Sequence, residues 1–334
     1  MNAYQRVMAA IAFQPVDKVP ACPFVMAFAA RFAGVPYGRY CTDYRAMARA
    51  QVACVEHFGY DIVTADTDAY REAQACGAEL EFPADDLPVE KKPALPERKD
   101  LAGLALPDVY KAERLADKIA GVQELKKQTG GQIPVLGWVE APFQSAAILR
   151  GLNNFMMDLY DAPDFVAELL DFTAGLAVAF GRAQVEAGAD IIGMGDAIAS
   201  LVSLSMYRQW VLPCTQRVVQ GLKATGVKVK YHICGASQHL LEAIGEMDFD
   251  IINIDARVDL AEARKVFRDK CVKGNIDPSA VLLQGTPEEV AAAARRCMAI
   301  GGRGYLLSPG CEVPRQTPEA NFAALVRARE EWQP

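Results

Sequence analysis

Histidine is scarce in this 334-residue chain: there are three, against nine cysteines and 42 acidic residues. Long apolar runs are missing as well. The hydrophobic stretches are short and broken by charge, so none reads as a membrane span. The opening "MNAYQRVMAAIAFQPVDKVP" lacks a long apolar core and a small-residue cleavage site, and reads as an amphipathic helix instead of a signal peptide. Positive charge is not in excess. A net charge of −7, with no basic stripe and no interleaved aromatics, argues against nucleic acid or an anionic membrane as partner. No G-x-G-x-x-G follows the first strand-like run and no P-loop occurs, which removes two common nucleotide cradles. The cysteines are odd in number and follow no framework spacing, which fits a reducing cytoplasm better than a disulfide-stapled secreted domain.

What the chain does have is alternation. Short β-branched runs recur at 18–26, 60–66, 133–140, 189–196, 227–234, 250–255, 271–277 and 304–310. Helical patterns lie between them, at 43–58, 163–187, 206–225, 237–247 and 286–300. Thr286-Pro287-Glu288-Glu289 has the order of an N-cap, a first-turn proline and two first-turn acids. Eight βα units predict one α/β domain over residues 1–334, a (β/α)8 TIM barrel with an N-terminal helical extension. An open doubly wound sheet is the alternative. Residues 81–108 are rich in proline and charge and too long for a plain connection, so they are expected to border the barrel mouth.

Polar residues gather at the C-terminal ends of the predicted strands, where a barrel keeps its site. These are Glu140, Asp196, His232 with Cys234, Asp255, Asn275 with Asp277, and Cys311 in "PGCEVP". Residues i and i+2 of a strand share a face, so His232 and Cys234 can meet at one point and Cys311 can reach the same mouth. One imidazole and two thiolates, with a fourth position left for a carboxylate or substrate, describe a catalytic zinc site. Glu140 is the expected fourth ligand and Asp196 the runner-up, and both are candidate catalytic residues. Plainer roles compete. Seven further cysteines show that the chain tolerates this residue as core filling. Asn275 and Asp277 precede Pro278 and suit a turn, and His57 and His239 lie on helical patterns.

Three segments, "KYHICGASQHLLEAIGEMDFDIINID", "GNIDPSAVLLQGTPEEV" and "LLSPGCEVPRQTPEANF", resemble the uroporphyrinogen decarboxylase superfamily. They look most like its branch of zinc-dependent, corrinoid-linked methyltransferases. "GWVEAPFQSAAILRGLNNFMMDLYDAP" and "RVMAAIAFQPVDKVP" extend the resemblance over nearly the whole chain. It implies a (β/α)8 barrel and a zinc motif of His-x-Cys followed much later by Cys, onto which His232, Cys234 and Cys311 fall. It also implies what a decarboxylase would need and this chain has replaced. Arg31 remains, but Ala27, Ile148, Ala197 and Cys311 stand where that branch has arginine, tyrosine, serine and histidine; Asp68 is aligned with its central aspartate. The expected activity is methyl transfer between a corrinoid and a thiol or other methylated small molecule. Demethylation of a donor by cob(I)alamin is the alternative direction, with decarboxylation or a non-catalytic zinc scaffold behind it. No D-x-H-x-x-G motif occurs, so the corrinoid is expected on a partner protein docked near 81–108, or as free cobalamin.

Overall fold

Seven strand-like runs become parallel strands of one sheet in the computed structural model, which describes residues 1–330. In chain order the strands are β1 (Val63–Thr64), the excursion's β2 (Glu79–Glu81) and β3 (Val89–Lys92), then β4 (Val135–Glu140) and β5 (Ile191–Gly195). They continue with β6 (Lys228–Ile233), β7 (Ile251–Ile254), β8 (Cys271–Ile276) and β9 (Tyr305–Pro309). The large sheet runs β1-β4-β5-β6-β7-β8-β9, and helices cover its outer face. Both faces of each strand are therefore enclosed, which is why the runs read as nearly continuous apolar sequence.

The run expected at 18–26 is not a regular strand. It makes isolated bridges from Ala21 to Leu307 and from Phe24 to Glu312. Pro20 and Pro23 have no amide proton to give a ladder. Even so, Cys22 N–H donates to the Leu307 carbonyl at 2.8 Å, and Leu307 N–H to the Pro20 carbonyl at 2.8 Å. On its other side, Asp61 N–H reaches the Ala21 carbonyl at 2.7 Å. This eighth segment thus lies between β9 and the chain entering β1, and the sheet curls into a barrel of the TIM type.

Helix ends follow the sequence signals. Asp43 accepts from the amides of Arg45 and Ala46 to open helix Tyr44–Phe58, and Gly59, at φ 72°, closes it. Thr286 and Glu289 form a reciprocal capping box ahead of helix Pro287–Gly301. The helix expected at 206–225 is composite: Leu204–Met206, a π-turn at Tyr207–Val211, then Leu212–Lys223. Pro213 removes one amide donor from the ladder, and the widened turn just before it absorbs the defect. The pattern at 237–247 likewise divides into a 3-10 turn, Gln238–Leu240, and helix Leu241–Gly245. Around 81–108 the structure has the β2–β3 hairpin, which starts at Glu79, and a 3-10 turn at Arg98–Gly103. The hairpin tip reaches the loop after β9, where Arg315 donates to the Asp85 carboxylate at 2.5 Å.

Candidate metal centre at the barrel mouth

The strand register decides what can meet. Glu140 pairs with Gly195, Gly195 with His232, and His232 with Asn253, so these residues form one row across β4, β5, β6 and β7. Gly195 brings no side chain to that row, and the gap is filled from β4. A Cβ at Gly195 would stand 2.7 Å from the Trp138 ring and 3.3 Å from Glu140 Oε2, and one at Gly193 would stand 2.4 Å from the indole. Trp138 stacks on Phe24 at 4.8 Å between centroids and donates its Nε1 proton to Glu140 Oε1 at 2.9 Å.

On β6 the period of two places Lys230, His232 and, just past the strand, Cys234 on the inner face. His232 Nδ1 lies 3.0 Å from the Asn253 carbonyl, a bond in which the ring nitrogen must donate. That leaves the Nε2 lone pair free to accept or to bind a metal, 2.9 Å from Cys234 Sγ and 3.7 Å from Cys311 Sγ. The two sulfurs are 3.2 Å apart. Among the described residues, these three are the one group of His, Cys, Asp or Glu whose ligating atoms all lie within 4.8 Å of one another. The donor set fits zinc: metal–ligand bonds of about 2.0–2.3 Å at tetrahedral angles separate ligand atoms by about 3.3–3.8 Å. A modest opening of this trio reaches that spacing.

Electrostatics favour a thiolate here. The hydrogen bond from Cys234 overcomes burial and holds the Cys311 thiol far down, at about 3. Cys234 moves the opposite way, raised chiefly by that same bond. The carboxylates expected to join the centre sit apart from it. Glu140 is buried beneath its Trp138 bond, with Glu72 Oε1 on its own amide at 2.9 Å. Burial first, and then Glu72, raise its pKa well above the usual carboxylate value. Asp196 faces the other side of β6. Its Oδ2 accepts from Tyr231 Oη at 2.8 Å, and Tyr231 points away from His232 because the two are consecutive in the strand. Burial lifts Asp196 to about 7.

Other sequence candidates take the plainer roles. Asp255 accepts from Gly235 N–H and Arg257 N–H, Asp277 caps the turn after β8, and Asn275 donates to the carbonyls of Asp255 and Val258. His239 meets the Val202 carbonyl, and His57 packs on Phe32 and Phe58. Asp68 is held by Arg114 at about 2, with the Arg114 charge and hydrogen bond overcoming burial. Arg31 donates to the carbonyls of Arg315 and Thr317. Three inner residues were not singled out from sequence. Lys230 lies 4.6 Å from the Trp138 ring and 4.9 Å from Phe24 with no hydrogen-bond partner; burial, then Lys273, lowers its pKa well below the usual lysine value. Lys273 donates to Asn253 Oδ1 at 2.8 Å, and burial brings it to about 8. Glu312 is pushed up to about 8 by burial. Extending the period-two reading of β6 back from His232 would have exposed Lys230.

The uroporphyrinogen decarboxylase (URO-D) profile matches residues 2–332. The chain belongs to that family. Within it, the chain is 29% identical to a methylcobamide:CoM methyltransferase, MtbA, of Methanosarcina mazei, over 98% of this chain and 97% of that one. It is 31% identical to a uroporphyrinogen decarboxylase of Nocardia farcinica, over 88% of this chain and 85% of the other. A solved methyltransferase from Methanosarcina mazei superposes with a TM-score of 0.91 at 26% identity, covering 99% of both chains. Overall identity does not separate the two branches of this URO-D family. Cys311 belongs to the converged trio, and Arg31 turns its Nε and Nη2 to the backbone carbonyls of Arg315 and Thr317.

Proposed function

We propose that this URO-D family member is a zinc-dependent methyltransferase that moves a methyl group between a corrinoid and a thiol. The corrinoid comes as free cobalamin or on a partner protein. The observation that carries the reading is the meeting of His232 Nε2, Cys234 Sγ and Cys311 Sγ at the C-terminal end of the barrel. A bound zinc ion would supply Lewis acidity, keeping an incoming thiol as thiolate near neutral pH. His232, Cys234 and Cys311 would hold that ion. The Asn253 carbonyl fixes the imidazole tautomer and so keeps Nε2 available to a bound ion. Glu140 reaches over Gly195 from the neighbouring β4 towards the row that holds His232, and as a carboxylate it would take the thiol's proton. We assign it that role and not the fourth ligand. The thiolate attacks the methyl carbon in line with the cobalt–carbon bond. A carbon–sulfur bond forms, and the electron pair of the broken bond stays on cobalt as cob(I)alamin.

The test is methylcobalamin consumption by the purified protein with a panel of thiols, with and without a chelator. Thioether formation that stops on chelation and returns with zinc is expected. Coproporphyrinogen formation from uroporphyrinogen, with no thiol methylated, would overturn the proposal.

A further inference from the structure

Strand β7 supplies none of the three ligand atoms, yet every ligand-bearing segment is tied to it. His232 Nδ1 donates to the Asn253 carbonyl at 3.0 Å. The amide of Gly235, next to Cys234, donates to Asp255 Oδ2 at 2.9 Å. The carbonyl of Gly310, in the peptide that carries Cys311, accepts from Asn253 Nδ2 at 3.3 Å. Residue 310 comes this close to the end of β7 because it has no side chain. A Cβ there would stand 2.4 Å from the Ala256 nitrogen and 2.9 Å from the Asp255 carbonyl carbon.

Asn253 therefore touches both sides of the centre, His232 through its backbone and the Cys311 segment through its side chain. That side chain is itself held. Nδ2 divides its two protons between the carbonyls of Gly310 and, at 3.4 Å, Lys273, while Oδ1 accepts from Lys273 Nζ at 2.8 Å. His232, Asn253 and Lys273 stand in one register row across β6, β7 and β8, so the lysine reaches back along the row to the amide. A lysine amine donates whether charged or neutral, so the clamp does not depend on its protonation. Asn253 and Lys273 are both buried, and away from water such bonds are costly to break.

We propose that Asn253, clamped by Lys273, is a positioning residue that sets the spacing between His232 and Cys311, and with it the affinity and geometry of the metal centre. The proposal rests on the zinc reading of the trio and not on methyl transfer. Two variants of the full chain test it. Asn253→Asp keeps the shape and the acceptor for Lys273 but removes the donors to both carbonyls. Lys273→Met removes the clamp and leaves Asn253 in place. Each is titrated with zinc against a chelator and, separately, with cobalt(II), whose visible absorption reports the arrangement of its ligands. Zinc affinity should fall about 10–100-fold in Asn253→Asp, the usual effect of losing a group that orients a metal ligand, and by less in Lys273→Met. The cobalt spectrum of fully loaded Asn253→Asp should differ from that of wild type at unchanged stoichiometry. Earlier melting alone, with wild-type zinc affinity and cobalt spectrum in the folded variants, overturns the proposal. Lys273→Met decides by the same two readouts if Asn253→Asp does not fold. Weakened zinc binding in the variants of a chain that methylates no thiol upholds the positioning role and sinks the transfer reading. A wild-type chain that takes up neither metal sinks both.

Discussion

At the scale of the residue, His232 and Cys234 were readable because a strand's period of two is fixed by backbone geometry. Their partner Cys311 needed the barrel, which brings a residue 77 positions later to 3.2 Å from Cys234. Cys234→Ser and Cys311→Ser should each lower bound zinc from about one per chain to a small fraction, since a hydroxyl is a poor substitute for a thiolate. Elemental analysis of folded protein checks this, and full zinc in both variants would refute the ligand set. Glu140 and Asp196 were harder, because a strand-end position in sequence does not tell which side of the next strand the carboxylate meets. Asp196 meets Tyr231 and stays dry. Its folded pKa of about 7 is above the model-peptide 3.8, so the native state holds a proton that the unfolded chain releases. The resulting stability is complete below pH 4 and is lost as the pH rises through 7, on the order of 4 kcal/mol. Asp196→Asn keeps an acceptor for Tyr231 and removes the charge. Urea melts at pH 5 and pH 8 should show wild type losing more stability across that interval than the variant, which keeps the raised Glu140 and Glu312.

At the scale of the element, most boundaries were legible because caps are local chemistry. Thr286→Ala breaks the Thr286–Glu289 box and should cost about 1 kcal/mol, read as a lower urea midpoint at unchanged slope. At two of the places where sequence and structure part, a proline stands. Pro20 and Pro23 reduce the first strand to two bridges, and Pro213 turns one long helix into two pieces around a π-turn. The glycines of β5 were equally opaque: nothing near Gly193 in sequence announces that Trp138 of β4 occupies its side-chain space. Gly193→Ala would drive a methyl into that indole and should cost about 1–3 kcal/mol through overpacking. It should also loosen the Trp138–Glu140 bond, so thermal melts and thiol-methylation rates should fall together. A variant as stable and as active as wild type would show that the ring moves aside freely.

At the scale of the molecule, counting βα units predicted the barrel, but how it closes could not be counted. The seam between residues 20–24 and β1 has little ladder, and Asp61 substitutes for it. Its amide donates to the Ala21 carbonyl and its Oδ2 accepts from Ala21 N–H at 2.9 Å. Oδ1 takes Arg6 Nη1 at 2.6 Å, and Arg329 binds the other oxygen. One carboxylate, 2% exposed, thereby joins the N-terminal helix, the proline-broken eighth segment, β1 and the chain after the last helix. These partners are 55, 40 and 268 residues away, beyond any local pattern. Asp61→Asn keeps the shape but removes the charge facing two buried guanidinium groups. Arg6 still has Asp17, whereas Arg329 keeps only Glu330 at 3.7 Å and a carbonyl. Breaking a buried pair from one side costs about 3–5 kcal/mol, and the surviving contacts place this case near the lower end. The seam lies at the opposite end of the barrel from Cys234 and Cys311. Asp61→Asn should therefore melt earlier, in one transition, while the protein still folded at low temperature binds zinc with wild-type stoichiometry. Zinc loss before any change in stability would show that the seam and the mouth are coupled, and that the barrel does not hold its two ends independently.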